Sequence, residues 1–236
     1  MVVTAPELRR ERVRQLLGYL LLHDRPTRTA ITSELWPDLD DAAAGRNLRV
    51  TLTYLQNLLE PDRGELDPPY FLRSAGPVLH LVTDGALEID VLQFERALDE
   101  AARLERQGAP SAALSAYLRA AELWGGDLLA DVTGASWLEW ERDRLRSRFV
   151  SSAVRAGNLL LARGDTTPAR TLAERALRAD DCSEDAHQLL IAVHLADGDL
   201  VDAHRALRRC QHMLRELGVP PQPRTRALAQ RLTPRG

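Results

Sequence analysis

The chain has 236 residues, 34 acidic side chains and 31 basic ones, and a net charge of −3. This length accommodates one large domain or two small ones. All of the basic residues are arginine, which excludes a phosphate-binding loop and a Schiff-base site, since each needs a lysine. No apolar run approaches the roughly 18–20 residues of a membrane span, no secretory signal is recognisable, and two cysteines suggest no disulfide framework. We therefore expect a cytoplasmic protein.

The first elements are helical. An apolar stripe predicts a helix over residues 7–23, and Thr27 or Thr29 can cap a short second helix over residues 30–36. A proline follows each of these helices, and a proline cannot continue a helix. Residues 38–45 are then expected to form an acidic loop.

A third helix is predicted over residues 46–60. Its apolar side chains recur at steps of four, three and four, which places them on one face: Leu48, Leu52, Leu55 and Leu59. The opposite face and its flanks hold no acid before Glu60 and collect Arg46, Asn47, Arg49, Val50, Thr53, Tyr54 and Asn57. Arginine can bind phosphate or guanine, asparagine can bind adenine, and threonine and valine can contact a thymine methyl group. This face is typical of a DNA-contacting helix, although an ordinary solvated face has the same pattern.

A hairpin follows that helix. Two β-rich runs, residues 70–73 and 78–82, flank a Gly-Pro turn. The order of three helices and a hairpin is typical of a winged helix-turn-helix. Arg73 and Ser74, near the turn, are then candidates for contacts with the DNA backbone. For each of these two residues, the alternative is that it belongs to a purely structural hairpin that covers the helical core.

Charge argues against strong DNA binding by this region. Residues 1–87 contain ten arginines and twelve acids, whereas a DNA-binding domain usually carries a basic face.

The second half of the chain is helical and repetitive. Gly164-Asp165 recurs 34 residues later as Gly198-Asp199, with small residues at matching offsets, and a weaker copy begins at Gly108. A 34-residue period is the tetratricopeptide signature. Such repeats bind partners or stack into dimers. We expect about three of them within residues 88–236.

The histidines and tryptophans of the second half are further candidates for a metal site or a ligand pocket. His187 and His194 lie two helical turns apart, which is wider than metal ligands usually are. Trp124, Trp137 and Trp140 are expected to fill a core rather than to line a pocket. No nucleophile or general base stands in a recognisable context. We expect no enzyme activity, no catalytic site, no metal and no cofactor.

Six short motifs resemble the Streptomyces antibiotic regulatory protein (SARP) type of transcriptional regulator. They are Trp36–Asp38, Arg46–Val50, Glu88–Phe94, Trp124–Leu129, Trp137–Arg142 and Glu216–Pro221. The resemblance implies a mainly α fold, with a response-regulator-type winged helix over residues 1–87 and a bacterial transcriptional activation domain of tetratricopeptide-like repeats over residues 88–236. It also implies sequence-specific DNA binding, recruitment of RNA polymerase and dimerisation on repeated sites. The usual N-terminal sheet is missing, so we expect either a piece of a larger regulator or a shortened member.

The prediction is therefore a transcriptional activator that binds double-stranded DNA. The third helix enters the major groove and Arg73 holds the neighbouring backbone. Asp38, Asp40 and Asp41 in the acidic loop meet RNA polymerase. The repeats form a homodimer or receive a signal from other domains of a larger chain, and no membrane is involved.

Two alternatives remain. Tyr54, Gln56 and Asn57 stand where the family usually has arginine, and the turn at residues 76–79 departs from the family's wing. In the first alternative, which these departures favour, the chain is a protein–protein interaction or dimerisation module of a larger signalling regulator, with a winged helix that does not bind DNA. A weaker alternative is a small-molecule sensor. Arg46 and Arg49 distinguish the DNA-binding regulator from the first alternative. In the interaction module we expect these arginines to form ion pairs with carboxylates, whereas in the DNA-binding regulator they lie on an open positive face.

Overall fold

The computed structural model describes residues 6–64, 67–83 and 87–233. A short turn of 3-10 helix, Pro6–Arg9, precedes the regular elements. The helices and strands of the first part are α1 (Glu11–Leu22), α2 (Arg28–Leu35), α3 (Asp41–Leu59), β1 (Leu72–Ala75) and β2 (Val78–Leu81). Those that follow are α4 (Asp90–Arg106), α5 (Pro110–Leu123), α6 (Ser136–Ala162), α7 (Thr166–Ala179), α8 (Glu184–Ala196), α9 (Leu200–Glu216) and α10 (Pro223–Leu232). The predicted mainly α fold is confirmed.

The chain divides into two compact units. Unit 1 comprises residues 1–88 and 127–142, and unit 2 comprises residues 89–126 and 143–236. The segment 127–142, which the sequence places in the second domain, thus packs with the first.

The core of unit 1 forms where α1, α2, α3 and the hairpin meet. Leu16, Ile31 and Leu55 are completely buried there, and Leu48 and Leu79 almost completely. The apolar stripe predicted for the third helix is confirmed at Leu48, Leu52 and Leu55, whereas Leu59 is partly buried.

The start of α3 differs from the prediction of a loop over residues 38–45. The carboxylate of Asp40 accepts a hydrogen bond of 2.7 Å from the backbone N–H of Ala43, which caps the helix. The three alanines that follow Asp41 have the highest helix propensity. The helix therefore begins at Asp41, and only residues 38–40 lie before it.

The predicted hairpin is confirmed. β1 and β2 pair antiparallel from Leu72 opposite Leu81 to Ala75 opposite Val78. The turn between them uses Gly76 at φ +61°, a conformation that glycine adopts without strain. Backbone hydrogen bonds from Arg28 N–H to the Pro77 carbonyl and from Leu79 N–H to the Pro26 carbonyl attach the hairpin to the start of α2.

The segment 127–142 packs on α1. Trp137 is buried edge-on against Tyr19, with ring centres 5.2 Å apart. Gly18 permits this approach, because a Cβ there would lie 3.1 Å from Leu129 and 3.5 Å from Trp137. Trp140 is 65% exposed, so the prediction that it fills a core is wrong, since it lies on the opposite side of α6 from the apolar contacts.

Unit 2 is built from neighbouring helices in contact, with α4 against α5, α7 against α8, and α8 against α9. Gly108, Gly164 and Gly198 stand at equivalent turns, with φ of +72°, +83° and +75°. The helix after each glycine buries an alanine completely where it meets its neighbour: Ala113, Ala169 and Ala203. In the same unit, Trp124 stacks on Phe149 with ring centres 4.8 Å apart.

None of the helices within the described residues is both long enough and apolar enough to cross a membrane.

Candidate nucleic-acid interface

The outer face of α3 is open and polar. Burial of Leu48, Leu52 and Leu55 fixes the rotation of the helix about its axis. The side chains that this rotation leaves exposed are Arg46, Asn47, Arg49, Val50, Thr53 and Asn57. Val50, an apolar side chain, is 55% exposed at the centre of this face.

The two arginines of this face have no acidic partner among the residues that the structure describes. Arg49 donates from Nε to the carbonyl of Gly45 in the preceding turn, at 3.3 Å. Among the described residues, no carboxylate lies within ion-pair distance of Arg49 or Arg46. Both charges are therefore available to an external anion. Ion pairs between these arginines and carboxylates would have favoured the alternative of a winged helix that does not bind DNA. The described residues show no such ion pair.

Tyr54 differs from its neighbours on α3. It is half-buried against the unit 1 core, and the guanidinium carbon of Arg10 lies 4.0 Å from the centre of its ring. Thr53 is exposed and donates its hydroxyl hydrogen to the carbonyl of Arg49 at 3.1 Å. The oxygen of this hydroxyl keeps its capacity to accept a hydrogen bond.

The hairpin presents an exposed arginine beside its own tyrosine. Arg73 donates from Nε to the carbonyl of Tyr70 at 3.2 Å, and its guanidinium lies 5.6 Å from the Tyr70 ring centre. Ser74 is also exposed, and its hydroxyl oxygen accepts a hydrogen bond of 3.2 Å from Arg28. Ser74 is thus connected to the start of α2.

A cleft of about 570 Å³ lies between the starts of α2 and α3. Its lining residues are Arg28, Thr29, Thr32, Asp41, Ala42, Gly45, Leu48 and Arg49. Two guanidinium groups and two hydroxyls can bind a phosphate, while the carboxylate of Asp41 repels it. The sequence pattern did not single out Arg28, Thr29 and Thr32 as site residues. The available signal was a basic residue with two threonines at i, i+3 spacing in the first turns of α2.

The acidic residues before α3 are exposed. Asp38 precedes the helix, Asp40 caps it, and Asp41 occupies its first turn. Leu39 between them is also exposed.

One histidine-containing cluster lies in unit 2. Ligand atoms of His194, Asp199 and Asp202 lie within 4.8 Å of one another. Asp199 accepts a hydrogen bond from the Asp202 backbone, and Asp202 pairs with Arg205 at 2.7 Å. These contacts lower the pKa of Asp202, with the hydrogen bond from Arg205 as the main cause. Both carboxylates therefore already have a structural role in α9.

A family model and a solved structure are similar to this chain. The family model described as "Bacterial transcriptional activator domain" matches residues 89–233. A search of curated proteins finds no significant match. Among solved structures, Mycobacterium tuberculosis EmbR in complex with a low-affinity phosphopeptide is similar, with a TM-score of 0.78 and 21% sequence identity. The match covers 96% of this chain and 61% of that one, so this chain spans under two thirds of the EmbR chain. At this identity the likeness shows the fold.

Proposed function

The chain belongs to the bacterial transcriptional activator domain family, and from this premise we propose that it is an activator that binds double-stranded DNA through unit 1. Proteins of this family are transcriptional regulators rather than enzymes. The family match confirms the SARP-type resemblance.

The observation that carries the proposal is the exposed, carboxylate-free face of α3. Arg46 and Arg49 lack acidic partners among the described residues. We place this helix in the major groove, with the two arginines on phosphate or guanine and Asn47 and Asn57 on base edges. Val50 and the methyl group of Thr53 are suited to a thymine methyl group.

Tyr54 takes a different role in this proposal from the one that the sequence suggested. The ring is packed in unit 1 and covered by Arg10, so it contributes mainly by holding the outer face of α3 in position. Any DNA contact from Tyr54 is secondary.

The hairpin and the cleft supply contacts with the backbone. Arg73 reaches the phosphates next to the groove that α3 occupies. Arg28, which donates to Ser74, joins Thr29 and Thr32 in binding a phosphate at the cleft. These contacts orient the protein and carry no sequence information of their own.

The remaining assignments belong to the same proposal. Residues 1–87 act as the DNA-binding domain and residues 88–236 as the activation domain with about three repeats. Asp38, Asp40 and Asp41 form an exposed acidic edge for RNA polymerase, and the repeats support a homodimer or other domains of a larger chain. A regulator that binds chromosomal DNA acts in the cytoplasm.

Selection from a random duplex pool, followed by sequencing over a salt series, tests the proposal. The parent is expected to enrich a defined sequence, and Arg46→Ala is expected to lose this enrichment. Arg9→Ala is the matched control, since Arg9 is exposed in unit 1 and lies outside α3. Circular dichroism confirms that each sample is folded. A folded parent that enriches no sequence overturns DNA recognition and favours the interaction module.

A further inference from the structure

The positive charge of this chain is concentrated at its C-terminal helices. Residues 200–232, which form α9 and α10, contain seven arginines and two acids. The whole chain has a net charge of −3, and residues 1–87 have more acids than arginines. A strongly basic stretch therefore lies in unit 2, away in sequence from the proposed recognition helix.

The basic residues of α9 form one exposed stripe. At 100° per residue, the outward line of the helix carries Arg205, Arg208, His212 and Arg215. All four side chains are exposed. The opposite side is buried and consists of Ala203, Ala206, Leu207, Cys210, Met213 and Leu214. The stripe is about 15 Å long at 1.5 Å per residue.

Most of these arginines have no acidic partner within the described residues. Arg205 pairs with Asp202 in the preceding turn. Within the part of the chain that the structure describes, Arg208, Arg209 and Arg215 have no carboxylate at ion-pair distance. In the preceding helices, by contrast, several arginines are held in ion pairs. Those that pair with a carboxylate include Arg103, Arg142, Arg144, Arg148, Arg155 and Arg170.

Intrahelical electrostatics do not explain this arrangement. Like charges three or four residues apart destabilise a helix, and Arg205 has that spacing to both Arg208 and Arg209. The helix dipole favours a cation only in the last turn, where Arg215 lies. The arginines in the middle of α9 gain nothing from the dipole, whereas an external polyanion would relieve their repulsion.

We propose that the outward face of α9 binds the phosphate backbone of duplex DNA, outside the base pairs that α3 contacts and without sequence preference. This inference rests on the proposed function. Counterion release at phosphate contacts supplies most non-specific affinity for DNA, and the twelve acids of residues 1–87 oppose the phosphate contacts proposed for unit 1. The α9 stripe adds phosphate contacts in unit 2.

An acidic protein segment is the competing occupant. Four exposed apolar residues, Leu200, Val201, Leu217 and Val219, lie at the two ends of α9. The middle of the stripe has no tryptophan or tyrosine, the aromatic anchors that dominate most protein interfaces. The evenly spaced arginines between the ends therefore favour DNA.

Fluorescence anisotropy with a 30-base-pair duplex of arbitrary sequence tests this inference over a salt series. The double variant Arg208→Gln/Arg215→Gln is expected to bind at least tenfold more weakly at low salt. Its slope of log affinity against log salt should fall by about two, because each lost phosphate contact removes about 0.9. Arg119→Gln/Arg178→Gln is the control, since it removes the same charge from two other exposed arginines of unit 2. Thermal melts verify that both variants fold.

The outcomes separate this inference from the proposed function. Equal slopes in both double variants, or no binding of this duplex by the parent at low salt, overturn the inference. A polyglutamate peptide that competes as well as DNA of equal charge also overturns it, in favour of an acidic protein. If the proposed function fails, the parent enriches no sequence in the selection experiment. Even then, a lowered salt slope in the α9 variant would still support binding of the DNA backbone by α9.

Discussion

The guanidinium of Arg10 covers one face of the Tyr54 ring, with 4.0 Å between the guanidinium carbon and the ring centre. Arg10 is the residue immediately before α1, and Tyr54 is on α3. The contact therefore joins the start of the first helix to the outer side of the proposed recognition helix.

Loss of this contact should destabilise unit 1. We expect Arg10→Gln to lower the free energy of unfolding by about 0.5–1 kcal/mol, the usual worth of an exposed cation–π pair, as measured by urea denaturation. Arg9→Gln is the control, because Arg9 is exposed and its guanidinium makes no cation–π contact with an aromatic ring of the described residues. Equal stability of the two variants would contradict a stabilising role for the Arg10–Tyr54 pair.

Two helical glycines should respond to alanine with opposite signs. A Cβ at Gly157 on α6 would overlap the side chain of Leu189, which is completely buried on α8. Overpacking costs about 1–3 kcal/mol, and the gain in helix propensity is about 1 kcal/mol, so Gly157→Ala should destabilise the protein by up to about 2 kcal/mol. A Cβ at Gly45 meets nothing within 4 Å, so Gly45→Ala should stabilise it by about 0.5–1 kcal/mol.

Urea denaturation of both alanine variants measures these changes against the parent. If both variants change the free energy of unfolding with the same sign, the close approach of α6 to α8 does not control the effect of the alanine at residue 157. The Gly45 variant also serves as a test of packing in α3, where the added methyl group has open space.

The faces of α3 were predictable because amphipathic periodicity is local. The spacing of Leu48, Leu52 and Leu55 fixes which side is buried, and Arg46 and Val50 follow on the other side. The start of the helix was not predictable in the same way. Several aspartates compete to cap it, and the choice of Asp40 depends on the local backbone.

Contacts between residues far apart in the sequence were missed. The position of Arg28 matters because it donates to Ser74, 46 residues away. The prediction that Trp137 fills a core is confirmed, but its contact with Tyr19 was not predictable, because the two meet only after the chain returns to unit 1. The one local sign of that return is Gly18, a glycine inside the apolar α1 whose absent side chain leaves room for Leu129 and Trp137.

The two cysteines should differ in reactivity. Cys210 is buried, and burial is the main cause that raises its pKa to about 11. Cys182 is exposed, and a hydrogen bond to Asp181 is the main cause that raises its pKa. Since the thiolate is the reactive form, we expect Ellman's reagent at pH 8 to modify Cys182 slowly and Cys210 only after unfolding.

The Cys182→Ser variant isolates the buried thiol. It should give no colour in the native state and one equivalent of thiol in denaturant. Rapid modification of native Cys182→Ser would contradict the burial of Cys210 within α9.

Burial of His187 should make stability depend on pH. The ring is 7% exposed, and its Nε2 lies 3.0 Å from the Asp181 carbonyl oxygen, where the neutral ring can donate. Burial lowers the pKa of His187. The backbone hydrogen bond and the charges of Asp181 and Asp180 oppose this effect, while Arg209 on α9 adds to it.

The direction in which stability changes with pH follows from proton linkage. With its pKa lowered in the folded state, His187 binds more protons in the unfolded chain at pH values below the ordinary value of about 6.5. The stability contributed by the neutral ring is therefore complete above about pH 6.5 and is lost as the pH falls through the folded pKa. We expect His187→Gln, which keeps an N–H donor near Asp181, to lose less thermal stability than the parent between pH 7 and pH 5. His212→Gln is the matched control, because it removes a histidine that is 65% exposed at its side chain and leaves His187 in place. If His187→Gln instead follows the parent through this range, protonation of the buried ring does not limit acid stability, and carboxylates elsewhere in the fold would account for it.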